Sequence, residues 1–160
     1  MEVLGLRKAL TRESASLVST YATIKRRITS EESFYEHEGE ALLHDSRLKY
    51  SKDLYLGPSF PAIVGSGPNG AIVHYRPVED TSAKCDQLTT PILIDTGGHY
   101  LDGTTDTTRT LCFDKCPSIT DIKEMYTRVL MGNLDLQLAC FPANKTQGMA
   151  LENFARQHLW

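Results

Sequence analysis

The chain has 160 residues, 41% hydrophobic and 23% charged, with 17 Lys and Arg against 20 Asp and Glu. That length and balance describe about one globular domain and exclude a disordered protein. The net charge of −3 gives no basic excess for nucleic acid or an anionic membrane surface, and no apolar run reaches the roughly 18 residues of a membrane span.

Residues 2–28 read as a helix, because Val3, Leu4, Leu6, Leu10, Leu17, Val18, Tyr21 and Ile24 recur at three- and four-residue steps. The same stretch, polar and periodic, does not read as a signal peptide. A second helix is predicted over 30–49. Ser30 suits its N-cap, Glu31 and Glu32 its positive first turn, and Phe34, Ala41, Leu42 and Leu48 form an incomplete apolar stripe around Gly39. From 54 to 113 the chain turns to Gly, Pro, Thr and β-branched residues. Strands are predicted at 60–64, 71–75, 91–95 and 107–113, with GSGPNG at 65–70 as the turn between the first two and 77–90 as a polar loop. Pro117 and Ser118 suit a helix start, and Ile122, Met125, Tyr126, Val129, Leu130, Leu134, Leu138 and Ala139 restore the helical period. A loop at 141–148 leads to a last short helix at 149–160. The order α-α-β-β-β-β-α-α predicts an α+β fold, and the uncapped apolar ending ENFARQHLW reads as a cut chain.

The densest chemistry lies in ILIDTGGHYLDGTTDTTRT, 92–110, with Asp95, His99, Asp102 and Asp106. Asp95 ends an apolar run, and a carboxylate at the end of a buried strand needs a cation or hydrogen-bond donors. A hairpin would bring Asp95 and Asp106 to adjacent strands. With Tyr100 and Leu101 at the tip, Asp95 faces Asp106. With Asp102-Gly103 at the tip, as turn statistics favour, it faces Thr110. Two facing carboxylates repel unless one is protonated or a cation holds both, and hard oxygen donors suit Mg, Mn or similar ions, singly or as a pair. A polar surface hairpin would use the same residues. His74 ends the strand predicted at 71–75, as a packed residue or as a proton shuttle to substrate. GSGPNG lacks the G-K-[ST] of a phosphate loop, G-x-S-x-G is absent, and Cys112 and Cys116 have no second pair to make a zinc site. The four Cys are read as reduced thiols of a cytoplasmic protein.

SFPAIVGSGPNGAIVHYRP (59–77) and LIDTGGHYLDGTTDTTRTL (93–111) resemble the Xaa-Pro aminopeptidases, and GLRKALTRESASLV, MYTRVLMGNLDLQLACFP and LENFARQHLW extend the likeness over nearly the whole chain. It is closest to the eukaryotic cytosolic-type enzymes. The resemblance implies the first half of a pita-bread fold, an antiparallel sheet flanked by helices, around two divalent metal ions, usually manganese. It implies release of the N-terminal residue from peptides with proline second. By position Asp95 resembles a bidentate ligand of one ion and Asp106 the carboxylate bridging both, which favours the first hairpin register. His74 resembles the catalytic, substrate-binding histidine that assists the leaving or attacking group. His99 and Asp102 match no ligand. The family's H-G-T-G-H-G-V-G stretch and two later glutamates, which complete the metal site, do not occur in this sequence. The 160 residues alone are therefore expected to bind metal weakly and to show little or no peptidase activity. An uncovered sheet edge would invite a homodimer. The alternative is a truncated relative that serves as a binding or regulatory module.

Overall fold

The computed structural model describes residues 2–30, 32–85, 91–113 and 119–160. They fall in two compact units, Met1–Pro117 and Ser118–Trp160. The first unit is α+β. Helix α1, Glu2–Thr29, buries Ala9, Glu13, Ser16, Leu17, Thr20, Ile24 and Ile28, spaced to one face. This is not the whole of the predicted apolar stripe, for Val3, Leu4, Leu6, Leu10 and Val18 are exposed. The buried face takes polar residues instead, because Glu13 meets a buried arginine.

Helix α2 is Gly39–Ser51, preceded by a 3-10 turn at Glu36–Glu38. The helix expected from 30 therefore starts nine residues late, and Ser30 is no N-cap: its N–H closes the end of α1 on the Arg26 carbonyl. Glu31 lies outside the described residues. The intervening stretch is engaged elsewhere. Tyr35 bridges Lys84, and the Cys85 N–H donates to the Phe34 carbonyl at 2.8 Å. The same contacts draw part of the predicted 77–90 loop into the core, where Cys85 and Phe34 are buried; 86–90 lie outside the described residues. At Gly39 a Cβ would stand 2.6 Å from Val64 Cγ2, so α2 meets the sheet where no side chain fits.

Among the described residues six strands form two antiparallel sheets. β1 (Tyr55–Pro58), β4 (Gly98–Tyr100) and β5 (Gly103–Thr104) make one, in the order β1-β4-β5. β2 (Ile63–Ser66), β3 (Ile92–Thr96) and β6 (Thr107–Leu111) make the other, in the order β2-β3-β6. β2, β3 and β6 answer three predicted strands. The strand predicted at 71–75 does not form. GSGPNG leads from β2 into a 3-10 turn, Gly67–Ala71, and Ile72, Val73 and His74 follow as an exposed bend that pairs with no strand among the described residues. β1, β4 and β5 were not predicted, being two to four residues long. The main core gathers Leu17, Ile24, Phe34, Leu43, Val64, Ile92 and Ile94 between helices and the second sheet. A smaller one joins Ala9, Tyr55 and Tyr100 under the first.

The second unit is helical. α3, Ile119–Leu138, packs on α4, Glu152–Arg156, which a 3-10 turn at Gly148–Leu151 precedes. Pro117 and Ser118 lie outside the described residues. A Cβ on Gly132 would stand 2.1 Å from the Ala155 carbonyl oxygen, so that glycine sets the approach of the two helices. His158 Nε2 lies 2.7 Å from Asp135 Oδ2. Among the described residues no helix is long and apolar enough to cross a membrane.

Candidate functional site

β3 and β4 run up one arm of a long hairpin and β5 and β6 return down the other. One register holds throughout: Ile92 pairs with Leu111, Asp95 with Thr108, His99 with Thr104 and Tyr100 with Gly103. The tip is therefore Leu101–Asp102. Neither expected register occurs; the observed one lies between them. Three contacts pin it. Tyr100 Oη donates to Glu13 Oε2 at 2.5 Å, Arg12 pairs with Asp102, and Gly103 packs so closely on α1 that a Cβ there would stand 3.0 Å from Leu6 Cα. Contacts with α1 thus override the Asp-Gly turn preference.

The hairpin bends where it passes from one sheet to the other. Thr105 is buried, and its N–H donates to the Gly98 carbonyl while its Oγ1 accepts from the Gly98 N–H, each at 2.9 Å. Ser59 donates through N–H to the Gly97 carbonyl and through Oγ to the Thr105 carbonyl. A Cβ at Gly97 would stand 1.9 Å from that Thr105 oxygen. The backbone between Asp95 and Asp106 is thus clamped by Ser59, Gly97 and Thr105.

Asp95, half-buried, is the next-to-last residue of β3, and its Oδ1 accepts from Thr108 Oγ1 at 2.8 Å. Asp106, exposed, stands immediately before β6 and two residues before Asp95's partner. The register sets Asp106 two residues along the chain from the residue that pairs with Asp95, a diagonal position for which strand geometry gives a backbone separation of about 7–8 Å. As a donor set, two carboxylates fit a hard divalent ion. They do not complete a site: among the described residues no group of three or more His, Cys, Asp or Glu converges to hold a metal. Thr108, which orients Asp95, escaped the sequence reading. Its only signal was a hydroxyl residue two positions beyond Asp106.

His74 sits in the bend after the Gly67–Ala71 turn, exposed, with φ of 59°. It is not at a strand end as expected. Among the described residues no hydrogen bond holds its imidazole, so the ring is free to meet another molecule. His99 and Asp102 have local partners. His99 Nδ1 lies 3.0 Å from Thr104 Oγ1, and the hydrogen bond from the Arg12 guanidinium holds the Asp102 carboxyl below the usual carboxylate range.

Residues 5–160 match the family model described as metallopeptidase family M24. A protein of Trichophyton verrucosum named probable Xaa-Pro aminopeptidase P is 41% identical over 161 residues, 100% of this chain and 22% of that relative. The Xaa-Pro aminopeptidase ApepP of Drosophila melanogaster is 38% identical over 160 residues, 100% of this chain and 25% of the relative. Among solved structures, the X-prolyl aminopeptidase of Caenorhabditis elegans, described as a cytosolic enzyme with a di-nuclear active site, matches with a TM-score of 0.83 and 32% identity, over 99% of this chain and 25% of that one. The fold is accordingly that of the pita-bread aminopeptidases. The chain spans about a quarter of the length of the curated relatives it matches.

Proposed function

The chain belongs to metallopeptidase family M24, and on that premise we propose that it supplies Asp95, Asp106 and His74 to the active centre of a cytoplasmic Xaa-Pro aminopeptidase. In this reading residues 1–160 are part of one catalytic domain, and the substrate is a peptide with proline in second position. The observation that supports it is the register that pairs Asp95 with Thr108, two residues beyond Asp106, on a clamped hairpin.

Asp95 and Asp106 would hold two divalent ions, manganese in this reading. When bound, such ions supply an acidified water and a polarised carbonyl. The residues of this chain do the rest. Thr108 donates to Asp95 Oδ1, which restricts rotation of the carboxylate. The Gly97 and Thr105 backbone keeps the two carboxylates from drifting apart. His74, exposed and with no hydrogen bond to its ring among the described residues, presents a ring nitrogen that accepts or donates the proton needed by the attacking or leaving group. With two carboxylates and no third ligand among the described residues, the 160-residue chain alone binds metal weakly and does not turn over peptide.

The test is a Mn2+ titration of the 15N-labelled chain followed by NMR. Paramagnetic broadening is expected first at the amides of Asp95, Asp106 and Thr108, and Asp106→Ala should remove it. In the product of the complete reading frame the same substitution should abolish both bound metal and release of the N-terminal residue from an Xaa-Pro peptide. Normal metal content and turnover in Asp106→Ala would refute the assignment.

A further inference from the structure

Away from the two aspartates, one buried carboxylate gathers the segment that carries His74. Glu36 opens the turn Glu36–Glu38 and is fully buried. Its Oε1 accepts from the Ser66 N–H at 2.6 Å and from Asn69 Nδ2 at 3.1 Å. Its Oε2 accepts from Tyr75 Oη at 2.7 Å and from the Ala83 N–H at 2.8 Å. Each of these partners donates, so the position needs two acceptor oxygens, which an ionised carboxylate has. A glutamine would turn one oxygen into an amide that faces either the Ser66 or the Ala83 N–H, and neither can accept.

These donors come from the start, the middle and the end of the excursion that leaves the sheet after β2. His74 lies within it, next to Tyr75, in the left-handed backbone region. A residue with a side chain stays there only when its surroundings over-determine it. His74 has no side-chain hydrogen bond among the described residues to do this. Its neighbour does: the Tyr75 N–H closes on the Ile72 carbonyl at 3.2 Å, and Tyr75 Oη is held by Glu36 and Asn69.

We propose that Glu36 is the positioning residue for His74, fixing through Tyr75 Oη the backbone conformation from which the imidazole meets the substrate peptide. This rests on the role given to His74 above. Desolvation, followed by the bond to Glu36, pushes the Tyr75 phenol up to about 12, so it remains an O–H donor throughout the neutral range.

A double-mutant cycle in the product of the complete reading frame tests it. His74→Ala should lower kcat by about 10²–10⁴, the range for acid–base assistance. Tyr75→Phe should lower kcat about tenfold with KM and metal content unchanged, and should have no further effect in the His74→Ala background. Additive losses, or full activity in Tyr75→Phe, would overturn the positioning role while leaving that of His74 intact. Full activity in His74→Ala would overturn both. Backbone 15N relaxation of the 160-residue chain reads the same device without turnover. Glu36→Gln and Tyr75→Phe should each raise fast mobility at 72–76 and leave β3 unchanged, and unaltered relaxation there overturns the proposal. Should Glu36→Gln not fold, Tyr75→Phe carries the measurement, since it removes one hydroxyl only.

Discussion

A hydroxyl decides how Asp95 can be used. Thr108 Oγ1 donates to Oδ1 at 2.8 Å, so one lone-pair direction is spent and the carboxylate cannot rotate freely. Partners of this kind raise metal affinity by orienting a ligand rather than by touching the ion. Thr108→Val keeps the shape and removes the donor. Mn2+ affinity is expected to fall about 10–100-fold, read by titration, with stability within about 0.5 kcal/mol of the parent because Thr108 is exposed. Unchanged affinity would mean that the bond does not organise the site. The aspartates stand out as candidates in the sequence because an apolar run that ends in one carboxylate and meets a second eleven residues on is chemically conspicuous. Thr108 and Glu36 were not, since their roles depend on partners 13 and 30 or more residues away.

At the level of elements, the hairpin shows which part of a register a sequence can specify. Moving the tip by one residue shifts Asp95's partner by two, so the two expected registers set Asp95 against Asp106 or Thr110 and the observed one against Thr108. The hairpin was thus readable although Asp95's partner was not; α1 contacts chose Thr108. The strand expected at 71–75 failed for a related reason. Ile72 and Val73 have strand-like side chains, but the Gly67–Ala71 turn and the Glu36 contacts direct the backbone away from any partner. Local propensity yields there to tertiary bonding. Gly97 is where the hairpin tolerates least change. Gly97→Ala would drive a methyl into the Thr105 carbonyl and Ser59 Oγ. Urea denaturation should show a loss of about 3 kcal/mol, the upper end of over-packing, together with weakened Mn2+ binding as Asp95 and Asp106 lose alignment. A variant as stable as the parent would show that the clamp has slack.

Across the whole first unit, one buried ion pair joins the helices to the hairpin that bears the candidate ligands. Arg47, 2% exposed, donates to both oxygens of Glu13, 1% exposed, at 3.0 and 2.6 Å, and to Thr96 Oγ1 at 2.8 Å. Tyr100 Oη completes Glu13. α1, α2, β3 and β4 therefore meet at one ion pair, and Thr96 is the residue next to Asp95. This explains why α1 buries polar residues where an apolar stripe was expected. Desolvating both ions offsets much of their attraction, so the pair need not add stability over an apolar replacement, but a lone survivor is costly. Arg47→Met should cost about 3–5 kcal/mol in urea denaturation, because it strands Glu13. Glu13→Leu with Arg47→Met should recover part of that loss, though not all, since the Tyr100 and Thr96 hydroxyls are left without their partner. If the pair also places β3, the double variant will stay folded yet bind Mn2+ more weakly than the parent. Parent-like affinity would confine the ion pair to holding the helices together.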